Sequence, residues 1–131
     1  MPVLDTSAAL ELLLKTPRGL RATAGLLNSD HELHAPYLLD IEFLHVLKRL
    51  WQRRQLDQQT AQRAIDDLSD LQLFRHPHNE LLVRIWGLRS SLSAYDAAYV
   101  ALAESLEMPL FTFDAKLAHS HGHRAKIVLL S

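Results

Sequence analysis

An α/β protein, with a central and mostly parallel sheet covered by helices in three α/β/α layers, is what this 131-residue chain predicts. Three observations predict it. Short apolar runs alternate with helical stretches along the whole length. The runs stop at Asp, Pro or small polar residues, as strands do at turns. Four acidic residues, Asp5, Glu42, Asp96 and Asp114, each stand where a strand or loop hands over to a helix, or inside an early helical turn.

The elements follow in order. Pro2-Val3-Leu4 is a strand that stops at Asp5-Thr6-Ser7, and Ala8 to Leu14 then reads helical. Gly19 to Asn28 is a second helix, closed by Asn28-Ser29-Asp30, and His31 to Ala35 is a short strand ending at Pro36. Tyr37 to Arg54 is the longest helix. Leu39, Phe43, Val46, Leu47 and Leu50 line one face of it, and His45, Lys48, Arg49 and Gln52 take the other. Asp57 caps a helix that runs to Leu71, and Leu73-Phe74-Arg75 is a strand ended by His76-Pro77. Asn79 to Ser90 is helical, and an alanine-rich helix from Tyr95 to Leu106 follows a Ser-rich turn. Pro109 to Phe113 is a strand, Ala115 to His121 a short helix, and Ile127 to Leu130 a last strand. Strands separated by helices pair in parallel through right-handed crossovers.

Composition bounds the rest. The length predicts one domain over residues 1–131, without internal repeat or linker. With 48% hydrophobic and 22% charged residues the chain reads as an ordinary globular protein. A net charge of −1 gives no bulk footprint for nucleic acid, so any such contact must be a local patch. The absence of cysteine excludes disulfides, thiolate metal sites and cysteine nucleophiles. Met1-Pro2-Val3-Leu4-Asp5 has no basic or long apolar stretch, and no window approaches the ~18 apolar residues of a membrane span. The cytoplasm is the expected location.

Each carboxylate has a plain structural explanation. Asp5 and Asp114 follow strands and precede helices, where an aspartate caps backbone N–H groups. Ser93-Ala94-Tyr95-Asp96 matches a capping box, and Glu42 lies where the helix dipole favours negative charge. Together they mean more. Strand ends of a parallel sheet share one rim, so Asp5 and Asp114 should be neighbours there. The helical neighbours of Asp96 (Tyr99, Val100 and Ala103) suggest a half-buried carboxylate. Carboxylates gathered this way repel by about 4 kcal/mol per pair at 4 Å and an effective dielectric near 20. A divalent cation offsets that cost. Hard oxygen ligands with no Cys and no paired His favour Mg²⁺ or Mn²⁺, and such ions point to phosphodiester chemistry. Hydroxyls that can orient ligands stand alongside: Thr6, Ser7, Ser93 and Thr112.

The same residues resemble the PIN domain, and within it the VapC-type toxin ribonucleases of toxin–antitoxin pairs. The segment from Tyr95 to Glu104 is similar to the family's Tyr-Asp-x-x-Tyr-x-Ala-Leu-Ala motif, and Pro109 to Ala118 to its Thr-x-Asp-x-x-Leu strand end. Leu4 to Leu10 resembles the family's Asp-x-Ser start, and Pro36 to Leu50 the helix bearing its glutamate. Four segments in the right order cover nearly the whole chain. The resemblance implies that Asp5, Glu42, Asp96 and Asp114 are the catalytic, metal-binding set, supported by Ser7 and Thr112. It also implies Mg²⁺- or Mn²⁺-dependent cleavage of RNA (transfer or ribosomal), a homodimer, and a cognate VapB-like antitoxin that blocks the cleft. In two places the chain departs from the pattern. His45 stands where many relatives have Asn, and Lys116 where some carry a further carboxylate.

Other features have milder readings. His119, His121 and His123 alternate as a metal-binding run would, but read first as a solvated loop. Lys48, Arg49, Arg53 and Arg54 read as a solvated face before an RNA track. Trp51 and Trp86 suit core or dimer packing, while Tyr95 and Tyr99 are the better candidates to touch a base or ribose, with simple packing the alternative for Tyr99. Two other functions compete. A phosphatase using Asp5 as nucleophile would need a second aspartate where Ser7 stands. A non-catalytic PIN-like module binding RNA or protein would need no acids, yet all four are present.

Overall fold

A computed structural model describes residues 1–27 and 32–131. Its centre is a five-stranded sheet in which every pairing is parallel. The strands are β1 (Val3–Leu4), β2 (Leu33–Pro36), β3 (Leu73–His76), β4 (Leu110–Thr112) and β5 (Ile127–Leu129), in spatial order β3-β2-β1-β4-β5. Val3 stands opposite His34 on one side and Leu110 on the other. The helices are α1 (Thr6–Leu13), α2 (Pro17–Leu27), α3 (Leu38–Gln52), α4 (Gln58–Asp70), α5 (Leu82–Gly87), α6 (Ala94–Leu106) and α7 (Ala115–Ala118).

The strand order fixes the layers. From β1 the chain steps outward to β2 and β3, then returns to the far side of β1 for β4 and β5. Right-handed crossovers in opposite directions put their helices on opposite faces. Accordingly α1 packs on α2, α3 and α4, whereas α5 packs on α6, which lies across β1, β2 and β4. The step from β4 to β5 repeats the direction of the step from β3 to β4, so α7 joins the α6 layer. The topological switch falls between β1 and β4, at whose carboxyl ends ligands of such sheets bind.

One large apolar cluster includes Val3, Leu39, Phe43, Tyr99, Val100 and Leu110, and a second joins Leu4, Ala8, Leu12 and Leu33. Every residue from Ala97 to Glu104 of α6 is buried, as the small alanines let this helix lie close to the sheet. Glu104 is the one carboxylate in that run. Arg84 of α5 donates to it twice, from Nε at 2.7 Å and Nη2 at 2.9 Å, and the backbone N–H of Arg124 donates a third bond at 2.9 Å. These bonds, Arg84's first, hold the Glu104 carboxyl below its usual range.

Several boundaries differ from expectation, each for a local reason. The first helix starts at Thr6, not Ala8, because Asp5 itself caps it by accepting the Ala8 N–H at 2.9 Å. The second starts at Pro17, whose missing N–H and fixed φ suit a first helical position. Its expected closure at Asn28-Ser29-Asp30, and the strand start at His31, lie outside the described residues. The stretch from Asn79 to Ser90 is a 3-10 turn (Asn79–Leu81) followed by α5, which stops at Gly87, a weak helix former. The last helix ends at Ala118, three residues early, where the Ser120 hydroxyl takes the Leu117 carbonyl. Neither tryptophan is core: Trp51 is 50% exposed and Trp86 68%, with the Arg89 guanidinium over the Trp86 ring. Among the described residues no helix is long and apolar enough to cross a membrane.

Candidate active site

The four acidic residues come two from each helical layer. Asp5 precedes α1 and Glu42 lies in α3, while Asp96 lies in the first turn of α6 and Asp114 precedes α7. They meet over the carboxyl ends of β1 and β4, beside the switch point. Residues at or near the starts of four different helices converge there because every strand of the sheet runs the same way.

Asp5 is buried, with hydrogen bonds on both oxygens and one acceptor position of Oδ2 still open. Its Oδ1 accepts the Ala8 N–H at 2.9 Å and the Ser7 hydroxyl at 2.7 Å, and its Oδ2 accepts the Thr112 hydroxyl. Ser7 Oγ in turn accepts the Phe113 N–H at 2.9 Å, and Thr112 Oγ1 accepts the Asp114 N–H at 2.9 Å. Both hydroxyl hydrogens go to Asp5, so the 3.2 Å approach of Ser7 and Thr112 is a close contact between acceptors, not another bond. Through these two hydroxyls the β1–α1 turn is tied to the β4–α7 turn.

Glu42 is held by a different pair. Thr6 Oγ1 donates to its Oε1 at 2.8 Å and Tyr99 OH donates to the same oxygen at 2.6 Å. Among the described residues Glu42 Oε2 takes no hydrogen bond. Tyr99 is 1% exposed, and burial first, then the Glu42 carboxylate, push its phenol far above the usual range. Its proton therefore stays on oxygen and points at Glu42. The ring that sequence reasoning offered to a base or ribose is closed to both, whereas Tyr95 is exposed.

Asp96 and Asp114 are the looser pair. Ser93 Oγ accepts the Asp96 N–H at 3.1 Å and so caps α6 by itself. The Asp96 carboxylate is left without a hydrogen bond or ion pair among the described residues, although half-buried. Burial first, then the charges of Asp114, Asp5 and Glu42, raise its carboxyl above the ordinary value, and Lys116 pulls the other way. Burial likewise raises Asp5, with its hydrogen bonds opposing and Asp114 adding to the rise. Asp114 is exposed and caps α7 through Oδ1, which accepts the Lys116 N–H at 2.9 Å.

The capping explanation is thus true of Asp5 and Asp114 but uses one oxygen of each, and it leaves Asp96 and Glu42 unexplained. All four sit in one mutually repelling field. Among the described residues no three His, Asp or Glu side chains are already drawn to the distances that would enclose an ion. That holds for the histidine run as well. His123 is bound into its own loop, its Nδ1 accepting the Ala125 N–H at 3.2 Å and its Nε2 lying 2.8 Å from Ser120 Oγ. His45, Lys48 and Arg49 lie exposed on the outer side of α3.

Sequence reasoning named Thr6 and Tyr99 but did not give either to Glu42. Thr6 follows Asp5 in the chain yet serves Glu42, and Tyr99 serves the same oxygen from the opposite helical layer. The signal for Tyr99 was its spacing three residues after Asp96 on a buried face.

Comparison with known proteins places the sequence and the fold. The family model of the PIN domain matches residues 3–121. Ribonuclease VapC12 of Mycobacterium tuberculosis is 39% identical over 131 residues, covering all of both chains. Ribonuclease VapC9 of the same species is 42% identical over 130 residues, 99% of this chain and 98% of that one. A toxin–antitoxin complex from Klebsiella pneumoniae shares the fold with a TM-score of 0.61 at 16% identity, covering 91% of each chain.

Proposed function

The chain belongs to the PIN-domain family, and from that premise we propose that it is a Mg²⁺- or Mn²⁺-dependent endoribonuclease, the toxin of a toxin–antitoxin pair. The observation that carries this reading is the half-buried Asp96 carboxylate, unpartnered among the described residues, in the field of Asp5, Glu42 and Asp114. A fold keeps such repulsion when something positive offsets it during function. The donor set fits: four carboxylates, all hard oxygen, in a chain without cysteine. Asp5, Glu42, Asp96 and Asp114 would hold the ion, which when bound activates water and neutralises charge on a phosphodiester.

The rest is the work of the chain's own side chains. Ser7 and Thr112 fix the orientation of Asp5 and keep it from turning toward solvent. Thr6 and Tyr99 anchor one oxygen of Glu42 and leave the other for the ligand. Asp96 and Asp114, less constrained, close the set from the α6–α7 side. Tyr99→Phe is expected to lower Mn²⁺ affinity by about 10–100-fold. The ring keeps its packing, so the fold should lose only about 1 kcal/mol. Calorimetric Mn²⁺ titration with a parallel thermal melt checks this, and unchanged affinity would remove Tyr99 from the supporting shell.

The partners follow from the same reading: an RNA substrate, transfer or ribosomal, and a VapB-like antitoxin. The likeness to a chain from a toxin–antitoxin complex supports the second. A homodimer in the cytoplasm completes the proposal, with the exposed Trp51 and Trp86 as available contact surface. The direct test is expression without an antitoxin, followed by mapping of RNA ends. New 5′ ends should appear in total RNA with Mn²⁺ and vanish with a chelator, and Asp5→Ala should relieve growth arrest. Equal toxicity of wild type and Asp5→Ala would end the nuclease proposal.

A further inference from the structure

Beside the carboxylates a cavity of about 570 Å³ opens between the start of α6 and α7. Asp96 and Asp114 form one side of it, and Lys116 and His121 contribute cationic or titratable groups to its lining. Leu92, only partly buried, supplies apolar surface, with hydroxyls from Ser91 and Ser93. The volume lies within the ~300–1,000 Å³ typical of small-ligand sites.

The loop that closes the cavity is built, not incidental. Gly122 has φ +87°, and a Cβ there would stand 2.7 Å from Ser91 Oγ, so the turn is pressed directly against Ser91. His123 locks the same loop. Ser120 Oγ donates to the Leu117 carbonyl at 2.6 Å, so the 2.8 Å contact with His123 is an Nε2–H donated to Ser120. His123 Nδ1 is then the acceptor for the Ala125 N–H, a consistent neutral tautomer. Of the alternating histidines, His123 is committed to the loop, and His121 is the one that lines the cavity.

We infer that this cavity receives the nucleotide next to the cleaved bond, with its phosphate against Lys116 and His121 and its base against Leu92 and the Ser91 and Ser93 hydroxyls. The inference rests on the ribonuclease reading and extends it to a binding subsite. A lysine beside two carboxylates suits a chain whose phosphates must approach an acidic site: it lowers the repulsion at that point without occupying the place of an ion. A hydroxyl-lined recess with an apolar wall holds an unstacked nucleoside, which a flat basic patch does not.

The test uses a fluorescein-labelled single-stranded oligoribonucleotide that the wild type cleaves, intact or with an abasic residue next to the cut. Wild type, Lys116→Ala, Lys116→Arg and His121→Ala are compared for kcat and KM, for the dependence of KM on salt, and for Mn²⁺ binding without RNA. Lys116→Ala should raise KM about ten-fold, roughly the value of one good contact, and reduce the salt slope by about 0.7, as expected for one lost phosphate contact on a single strand. Its Mn²⁺ affinity should not fall, and Lys116→Arg should restore KM. His121→Ala should raise KM several-fold. The abasic substrate should raise wild-type KM about ten-fold. An active wild type whose KM and salt slope are unmoved by Lys116→Ala, or whose KM ignores the missing base, overturns the subsite alone. A wild type that neither binds Mn²⁺ nor cuts RNA overturns the ribonuclease reading itself.

Discussion

Asp96→Asn is expected to cut RNA at least about 10²–10³-fold more slowly than the wild type while folding as well or better. The amide preserves shape, and Ser93 already caps α6, so the helix loses nothing. What disappears is a charge that the folded state raises in free energy, through burial first and then through Asp114, Asp5 and Glu42. The sign follows from linkage. A carboxyl whose folded pKa lies above its unfolded value of 3.8 binds more protons when folded, so its charge costs stability as pH rises through that interval. At neutral pH that cost is present in full, and the asparagine removes it. A gain of up to about 1 kcal/mol is expected, the pattern of a residue kept for function at the expense of stability. Cleavage kinetics with Mn²⁺ and a denaturant titration measure the two halves. Wild-type cleavage by Asp96→Asn would remove this residue from the chemistry, and a loss of several kcal/mol would make it structural.

Arg84→Ala should be the strongest destabilising change at a single polar residue, at about 2–3 kcal/mol. Truncating one partner of a buried pair leaves a buried charge uncompensated, which costs about 3–5 kcal/mol. Arg84 is 39% exposed on its side chain and Glu104 only 1%, so water recovers part of that loss. The Arg124 backbone N–H, which stays in place, recovers some more. The effect is tied to pH. Glu104 has a folded pKa below its unfolded 4.5, so its stabilisation is complete above about pH 4.5 and is lost as pH falls through the lower folded value. Melting curves of wild type and variant should therefore converge in acid. A constant gap from pH 7 to pH 3 would show that the side chain's packing, not its charge, matters here.

Local sequence carried most of the architecture because each strand end is marked by its own chemistry. Leu4-Asp5-Thr6, Thr112-Phe113-Asp114 and the Asp57 cap each state where a strand or loop ends and a helix begins. The alanine-rich stretch of α6 announced a buried helix in the same way. Of the two readings of the tryptophans, core or dimer packing, the core one fails, because a large apolar side chain with aliphatic neighbours reads as core in one dimension. Burial depends on which helix face meets the sheet, and Trp51 and Trp86 lie on the faces that do not.

For the site, the chain by itself marked four acids at element boundaries or early helical turns, hydroxyls beside them, and a common rim for Asp5 and Asp114. Those features are written locally, as residue types at element boundaries, and parallel strands convert boundaries into neighbours. Only the tertiary structure decided which hydroxyl serves which carboxylate. Thr6 is adjacent to Asp5 but reaches Glu42, 36 residues away, and Tyr99 reaches the same oxygen from 57 residues away. Successive side chains at a strand–helix turn point in different directions, so adjacency in the chain does not predict contact. The balance of charge was also a tertiary matter. Among the described residues Asp96 has no partner because Ser93 takes its capping role and the other three acids occupy its surroundings, and no pattern of neighbours in one dimension can show that.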